Sequence, residues 1–264
     1  MTVSQDIIRQ AADRLWEAEQ TVRPCRPIRD IIPEKDIESA YAIQQHNIDR
    51  HIKAGRRVSG RKIGLTAKTV QQQMGVFEPD FGTLFSDMEY GHGSEIPFDR
   101  LIRPRVEAEL MLVLDRDLDQ DMINFSDVLR ASAFAIAAIE VVDCRLIDWD
   151  IRIADTVSDN AAAGVYVLGA SPKSILDGDM ANCAMTLHRN GELVSSGRGE
   201  ASLGHPVNAA VWLARTLKKL GSPLRAGDAI LTGALGPMVD ARPGDRFEAR
   251  VEGFGNTVIH FSEN

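Results

Sequence analysis

The part of this chain that most constrains its fold is an alternating stretch near the middle, which reads PRVEAELMLVL from Pro104. Successive side chains of a β-strand point to opposite faces, so the alternation predicts a strand from Arg105 to Asp115. Glu107 and Glu109 share one face, about 7 Å apart, and like charges at this spacing repel unless something positive lies between them. The opposite face is apolar and carries Val106, Ala108, Leu110, Leu112 and Leu114.

A third carboxylate stands in an unusual setting, because Glu140 is embedded in the apolar run AAIEVVD. A glutamate in such a run is rarely buried unless it is paired or binds a metal. The set of Glu107, Glu109 and Glu140 suits a hard cation such as Mg²⁺ or Mn²⁺. In the alternative interpretation, the first two line a solvated strand face and Glu140 pairs with an arginine such as Arg145. Spacing alone leaves both interpretations open.

Three further segments carry candidate binding groups. Lys62, in GRKIGLT, lies among strand-like residues ahead of a helix start, where the helix dipole would help it to hold an anion. The other interpretation of this segment is a surface basic patch. Asp80 belongs to the turn EPDFG, which by itself is most often only a turn. The glycine-rich bend LTGALGP, which contains Thr232 and Gly233, can present backbone N–H groups to a carboxylate.

Two amphipathic helices are predicted in the N-terminal part of the chain. Apolar residues recur at helical spacing over residues 4–20, with Ser4 as a cap, and again over residues 36–53. A linker punctuated by prolines, TVRPCRP, lies between them. We therefore predict an N-terminal helical subdomain over residues 1–57. A β-rich domain over residues 58–264 would then carry the metal-binding and catalytic groups.

The β-rich part contains short strands and few helices. Patterns predict a short helix from Thr66 to Gly75, and a helix over residues 126–138 that leads into a strand over residues 139–143. Asn190-Gly191 between two apolar runs is a specific hairpin signal, and residues 204–221 show the clearest helical pattern. This mixture predicts an α+β protein, with a mixed β-sandwich or rolled barrel and helices outside it.

Composition excludes several classes of function. The chain has 30 basic and 38 acidic side chains and a net charge of −8, whereas nucleic-acid binding needs a basic face. No apolar run reaches the roughly 20 residues of a membrane span, and the first residues do not resemble a signal peptide. The scattered Cys25, Cys144 and Cys183 indicate reduced thiols in a cytoplasmic protein. Nucleotide-binding glycine loops and a GxSxG elbow are absent from the sequence, which disfavours nucleotide-driven chemistry and serine hydrolysis.

Five stretches spread through the chain carry a family resemblance: GRKIGLTAKTVQQQMGVFEPDFGTLFSDM, RPRVEAELMLVL, AIEVVDCRLIDWDIRIADTVSDNAA, LGHPVNAAVWLARTL and LTGALGPM. In this order they resemble the fumarylacetoacetate hydrolase superfamily, and within it the bacterial 2-keto-4-pentenoate (2-hydroxypenta-2,4-dienoate) hydratases. The resemblance implies a rolled, mixed β-sheet core with an N-terminal helical subdomain. It also implies a divalent metal, Mg²⁺ or Mn²⁺, held by Glu107, Glu109 and Glu140.

The reaction that the resemblance implies belongs to aromatic meta-cleavage catabolism. A dienol acid is ketonised, and water then adds to the conjugated enone to give 4-hydroxy-2-oxopentanoate. By similarity, Lys62 contacts the 2-oxo acid and assists proton transfer, and Asp80 donates or accepts a proton. A cation beside Lys62 would depress its pKa, although binding of the substrate carboxylate alone is an equally open role. Thr232 and the following amides, beginning with Gly233, would cradle the substrate, and Asn160 would support its pocket.

Related activities stay open at this point. 4-Oxalocrotonate decarboxylase is a sister family with the same metal site, and Arg61 or Lys68 is a candidate cation for the second carboxylate of its substrate. An acylpyruvate hydrolase would need a water-activating pair, often His–Glu, and His46 and His51 lie on an N-terminal helix. A purely scaffolding partner of a decarboxylase is disfavoured, because all three glutamates are present.

The resemblance also bears on partners. It implies a small 2-oxo or 2-hydroxydienoate substrate, and neither nucleic acid nor membrane. Members of the superfamily are typically homo-oligomers, so we expect one here, and a complex with a neighbouring pathway enzyme is a further hypothesis. The tail of the natural substrate is left open.

Overall fold

The computed structural model describes residues 3–68, 71–72 and 76–264. Its α-helices are α1 (Gln5–Thr21), α2 (Ile37–Lys53), α3 (Phe125–Ala131), α4 (Ile153–Ser158) and α5 (Pro206–Lys219). Its strands are β1 (Val58–Gly64), β2 (Asp80–Phe85), β3 (Glu89–Tyr90), β4 (Glu95–Ile96), β5 (Pro104–Leu114), β6 (Ser132–Asp143), β7 (Ala163–Leu168), β8 (Ala184–Arg189), β9 (Glu192–Arg198), β10 (Ala229–Leu231), β11 (Val239–Asp240), β12 (Arg246–Val251) and β13 (Gly255–Phe261).

The first N-terminal helix begins at the predicted cap, Ser4, and the second begins one residue after Asp36, which caps it. The Ser4 hydroxyl accepts from the Ile7 amide, and the Asp36 carboxylate accepts from the Ser39 amide. The buried faces of α1 and α2 share one apolar cluster with α4 and the chain after β6. No helix within the described ranges has the length and apolar character that crossing a bilayer demands. The boundary of an N-terminal subdomain at residue 57 stays a prediction.

The strands form two mixed sheets, which confirms the predicted α+β class. The larger described sheet has the order β2-β1-β10-β5-β6-β7-β3, with β11 also paired to β5. The smaller one has the order β4-β13-β12-β8-β9. The pairs β1–β10, β3–β7 and β4–β13 are parallel, and the other pairs are antiparallel. The strands β5 and β6 lie at the centre of the larger sheet, and most of their residues are buried.

The two faces of β5 face different surroundings, as the alternation predicts. The face of Val106, Ala108 and Leu110 belongs to the main core, together with the smaller sheet and α5. The other face continues from the glutamates to Met111, which packs in a separate apolar cluster with Ile48 of α2. The glutamates therefore lie on the side of the larger sheet that faces away from the main core.

The prediction of a helix over residues 126–138 is wrong in its second half. Helix α3 ends at Ala131, and β6 begins at Ser132 and pairs along its length with β5. Alanines favour a helix locally, but long-range pairing and complete burial outweigh that preference at Ala135 and Ala137. The hairpin at Asn190-Gly191 and the helix within residues 204–221 are confirmed. The predicted helix from Thr66 to Gly75 includes residues 69–70 and 73–75, which lie outside the described residues.

Candidate active site

Three carboxylates converge on one face of the larger sheet. Glu107 and Glu109 project from β5, and Glu140 projects from β6, directly opposite Glu107 in the strand register. One oxygen from each of the three lies within 4.8 Å of the other two. Glu109 and Glu140 are buried, whereas Glu107 is partly exposed. The structure thus brings together all three residues of the candidate metal site.

These carboxylates have few hydrogen-bond partners for buried charged groups. Glu109 Oε1 and both oxygens of Glu140 have no hydrogen-bond partner, and the Gly233 amide donates to Glu109 Oε2 at 2.8 Å. Burial and the neighbouring Glu140 raise the pKa of Glu107 to about 7, and the same causes raise the pKa of Glu109 well above its ordinary value. Unpartnered, converging carboxylate oxygens fit a divalent cation, since oxygen ligands are what Mg²⁺ and Mn²⁺ prefer.

Lys62 is the cation that the structure places beside this cluster. Its Nζ lies 3.2 Å from Glu140 Oε1 and donates a hydrogen bond to the Ala161 carbonyl at 2.9 Å. Burial acts to lower the pKa of Lys62, but Glu140, Asp80 and the other carboxylates outweigh it and raise that pKa. The carboxylates therefore keep the ammonium protonated. Arg145, the alternative partner for Glu140, instead pairs with Asp159.

Asp80 lies on the same face, at the start of β2. Its carboxyl group is buried, with Oδ2 accepting from the Thr156 hydroxyl at 3.4 Å and Oδ1 without a partner. Burial raises the pKa of Asp80, although Lys62 and Thr156 act in the opposite direction. Asp80 is thus a carboxyl group able to hold a proton. Thr156 was not predicted, because the segment DTVSDN carries no spacing that points to Asp80.

Four of these residues open onto one cavity of about 560 Å³. Lys62, Asp80, Glu107 and Thr156 line its polar end, and Lys62 is the only Lys or Arg among its described lining residues. Neither Arg61 nor Lys68 lines this cavity. The rest of the described lining is mostly apolar and comes from Leu65, Ala67, Val142, Trp149, Ile151, Ala201, Ala234, Pro237 and Met238.

Three residues predicted to bind substrate have their polar groups engaged elsewhere. The Thr232 hydroxyl donates to the Leu110 carbonyl, and the Gly233 amide serves Glu109. The Asn160 amide group donates to and accepts from the backbone of Thr83. Gly233 is therefore placed to support Glu109, and Asn160 is placed to support the turn that carries the Ala161 carbonyl. Direct contact of these three residues with the substrate stays a prediction, since the polar groups described here already have partners in the protein.

Comparisons with known proteins agree with the fold. The sequence model described as fumarylacetoacetate (FAA) hydrolase C-terminal matches residues 44–261. The chain belongs to the fumarylacetoacetate hydrolase family. A relative named 2-keto-4-pentenoate hydratase, from Paraburkholderia xenovorans, is 51% identical over 255 residues, which cover 97% of this chain and 95% of the relative. The TodF product hydratase of Pseudomonas putida is 48% identical over 262 residues, which cover 99% and 98%.

Among solved structures of the family, 4-oxalocrotonate decarboxylase from Pseudomonas putida G7, complexed with magnesium and adipate, superposes with a TM-score of 0.95. It is 29% identical, and the match covers 98% of this chain and 99% of that chain. The predicted resemblance to the fumarylacetoacetate hydrolase family and its hydratase branch is confirmed by these relatives.

Gly233 offers a test of how this family member holds Glu109. Its φ is +102°, and a Cβ there would lie 2.3 Å from the Thr66 hydroxyl oxygen. We expect Gly233→Ala to lower the free energy of unfolding by about 3 kcal/mol, because it adds a clash to an unfavourable φ. Gly55→Ala is the matched control, since Gly55 also has a positive φ but open space around it. Urea denaturation of both variants measures the difference; equal losses would contradict the close approach to Thr66.

The carboxylate cluster of this family member also predicts a pH dependence. Folding raises the pKa of Glu107 from 4.5 to about 7, so its stabilising contribution is complete below 4.5 and is lost as the pH rises through about 7. Glu109 and Glu140 are shifted in the same direction. In the presence of a chelator, we expect the melting temperature to fall between about pH 5 and about pH 8. Calorimetry at several pH values measures this, and a flat or rising profile contradicts it.

Proposed function

We propose that this chain is a divalent-metal-dependent hydratase of 2-oxopent-4-enoate, in its 2-hydroxypenta-2,4-dienoate form, with 4-hydroxy-2-oxopentanoate as product. The observation that carries the proposal is the cluster of three glutamates beside Lys62, together with Asp80; Lys62, Asp80 and Glu107 line one cavity. Relatives named hydratases at 48–51% identity support the same reaction. The enzyme would be a carbon–oxygen lyase of aromatic meta-cleavage catabolism.

We assign Glu107, Glu109 and Glu140 as the ligands of the metal, either Mg²⁺ or Mn²⁺. Oxygens of Glu109 and Glu140 without hydrogen-bond partners support this assignment, and so does the magnesium bound by the structurally similar decarboxylase. When bound, such an ion supplies a Lewis acid that stabilises negative charge on an enolate oxygen.

Lys62 binds and orients the anionic end of the substrate. Its protonated Nζ is fixed by the Ala161 carbonyl and can pair with the substrate carboxylate or its 2-oxygen. Asn160, Ala161 and Ala162 all have positive φ values, between +51° and +55°, and this unusual turn aims the carbonyl at Lys62. This strained turn therefore helps to hold Lys62 in place. Lys62 is the only lysine or arginine among the described residues that line the cavity.

Asp80 moves the protons. Ketonisation places a proton on C5 of the dienol and removes one from the 2-hydroxyl group, which leaves a double bond between C3 and C4. Water then adds its oxygen to C4 and a proton to C3. With a proton held at Oδ1, Asp80 can donate that proton to C5, while the proton of the 2-hydroxyl group leaves to solvent. The resulting carboxylate can take a proton from the attacking water and deliver it to C3, and the proton released to solvent restores the acid. The Thr156 hydroxyl keeps the other oxygen oriented.

The two alternative activities fit this cavity less well. A decarboxylase substrate carries a second carboxylate, but no described Lys or Arg other than Lys62 lines the cavity. A hydrolase of acylpyruvates would need a water-activating base, but no described histidine lines this cavity, and His51 contacts Glu19 elsewhere. The mostly apolar remainder of the cavity lining favours a substrate with an uncharged tail.

Product identity tests the proposal. The purified protein with Mg²⁺ receives freshly made 2-hydroxypenta-2,4-dienoate and, in a separate sample, 2-oxohex-3-enedioate. Ultraviolet absorbance follows the loss of each substrate, and NMR and a carbon dioxide assay identify the products. We expect 4-hydroxy-2-oxopentanoate from the first substrate and little conversion of the second. If the second substrate releases carbon dioxide with a higher kcat/KM than that for hydration of the first, the protein is a decarboxylase and the hydratase proposal is contradicted.

Assembly and location stay proposals of a coarser kind. We propose a homo-oligomer in the cytoplasm, on the family resemblance and the reduced thiols predicted from the sequence. A complex with a neighbouring pathway enzyme is a further hypothesis. Light scattering coupled to gel filtration measures the oligomer.

A further inference from the structure

The lining of the cavity combines buried charged residues with apolar residues that reach the surface. Lys62 and Asp80 are 4% and 2% exposed, whereas Met238 is 41% exposed. Trp149, Ile151 and Met238 belong to the apolar part of the same lining. A substrate held by its carboxylate at Lys62 shares the cavity with these three side chains.

Several polar contacts hold the indole of Trp149 in the cavity wall. Its Nε1 donates to the Arg103 carbonyl at 3.1 Å, and the Arg105 guanidinium carbon lies 4.2 Å from the ring centroid. Arg105 also contacts the Met238 sulfur at 3.7 Å, and its Nε donates to Asp240 at 2.8 Å. The Arg105 guanidinium therefore contacts both Trp149 and Met238, while the Asp240 carboxylate neutralises its charge.

The backbone at this wall is held in an unfavourable conformation. Asp148 and Trp149 have φ values of +59° and +55°, in the left-handed region that residues with side chains rarely adopt. The Asp148 carboxylate also pairs with Arg103 at 2.6 Å, which gives this segment a second contact with the chain before β5. A conformation of this kind persists only where the surroundings impose it, so the position of Trp149 is specified.

We propose that Trp149 and Met238 determine which substrate tails the enzyme accepts, by forming the wall against which any group beyond C5 of the dienoate must pack. This rests on the proposed function, because the hydratase reaction sets which substrate end lies at Lys62. The favoured class is 2-hydroxydienoates with no tail or a short uncharged one. A tail carboxylate is disfavoured because Asp240 already occupies Arg105.

Variants of the wall test the proposal. Met238→Ala and Trp149→Phe are assayed with 2-hydroxypenta-2,4-dienoate and with an analogue that bears a butyl group on C5. In each variant we expect the kcat/KM ratio of the butyl substrate to the unsubstituted one to rise about 10-fold, because several methylenes gain room in the pocket. Met122→Ala is the matched control, since Met122 is 81% exposed and does not line the cavity. Thermal melting confirms that each variant is folded.

The outcomes separate this inference from the proposed function. If the unmodified protein hydrates the short substrate but neither variant changes the ratio, the wall assignment is overturned and the hydratase proposal stands. If the unmodified protein hydrates neither substrate, the hydratase proposal fails. The wall is then judged by calorimetric binding of 2-oxobutanoate and 2-oxooctanoate in the presence of Mg²⁺. A shift toward the longer acid in both variants supports the wall, and an unchanged preference overturns it.

Discussion

Replacing Glu109 with glutamine is expected to lower the hydration rate by about 10³-fold, because the loss of one metal ligand removes several kcal/mol of charge stabilisation in the transition state. The substitution keeps the size of the side chain and can keep the hydrogen bond that the Gly233 amide donates to it. It also removes a negative charge from a buried cluster of three. The variant should therefore melt at a higher temperature than the unmodified protein when a chelator is present.

Mn²⁺ affinity by calorimetry, the hydration rate and the melting temperature are the measurements for this variant. Glu95→Gln is the matched control, because Glu95 is an exposed glutamate in strand β4. We expect the control to match the unmodified protein in all three. A Glu109→Gln variant with normal Mn²⁺ affinity and full metal-dependent activity would remove Glu109 from the metal site.

Replacing Asp80 with asparagine is expected to lower kcat by about 10³-fold, the usual size of a general acid–base contribution. The amide cannot give up a proton from the position of Oδ1, although it can still accept from the Thr156 hydroxyl. Metal binding should change far less than in the Glu109 variant, because Asp80 is not one of the three clustered carboxylates. KM should also change little, since Lys62 still holds the substrate carboxylate.

Asp99→Asn provides the control for this substitution, because Asp99 is exposed and distant in the fold. Steady-state kinetics across pH measures both variants, and Mn²⁺ calorimetry separates catalysis from metal binding. If Asp80→Asn keeps its kcat, Asp80 does not carry the proton. If it loses Mn²⁺ binding together with activity, its role belongs to the metal site instead.

Local pattern was sufficient for the parts of the site that lie on one strand. Alternation in PRVEAELMLVL placed Glu107 and Glu109 on one face and the apolar residues on the other, and the structure has both faces as predicted. The capping residue Ser4 located the start of α1, because a cap acts within a few residues of the chain. Such features depend on neighbours in sequence, which is what a pattern records.

The meeting of Glu140 with the β5 glutamates needed information that spacing does not contain. It depends on the register that sets Glu140 opposite Glu107, and register results from the whole β5–β6 pair. The same long-range pairing overrode the helix predicted over residues 126–138. The choice between metal site and solvated face therefore stayed open until burial and missing hydrogen-bond partners were known.

Residues outside the alternating strands were the hardest to anticipate. Thr156, Trp149 and Met238 follow no period, and each gains its role from a contact with a distant part of the chain. The polar groups of Thr232 and Gly233 were expected at the substrate, but they bond to β5 because that backbone and Glu109 lie within reach. Which acceptor a loop amide meets is decided by tertiary packing.

The most direct test of the metal-dependent hydratase account is a metal titration in which binding and catalysis are read from the same samples. Chelator-treated protein receives increasing Mn²⁺, with bound ion measured by electron paramagnetic resonance and hydration of 2-hydroxypenta-2,4-dienoate measured alongside. We predict that the rate rises in proportion to bound Mn²⁺ and saturates at one ion per chain. Full hydration before any metal is added, or a rate that does not follow occupancy, would contradict the account.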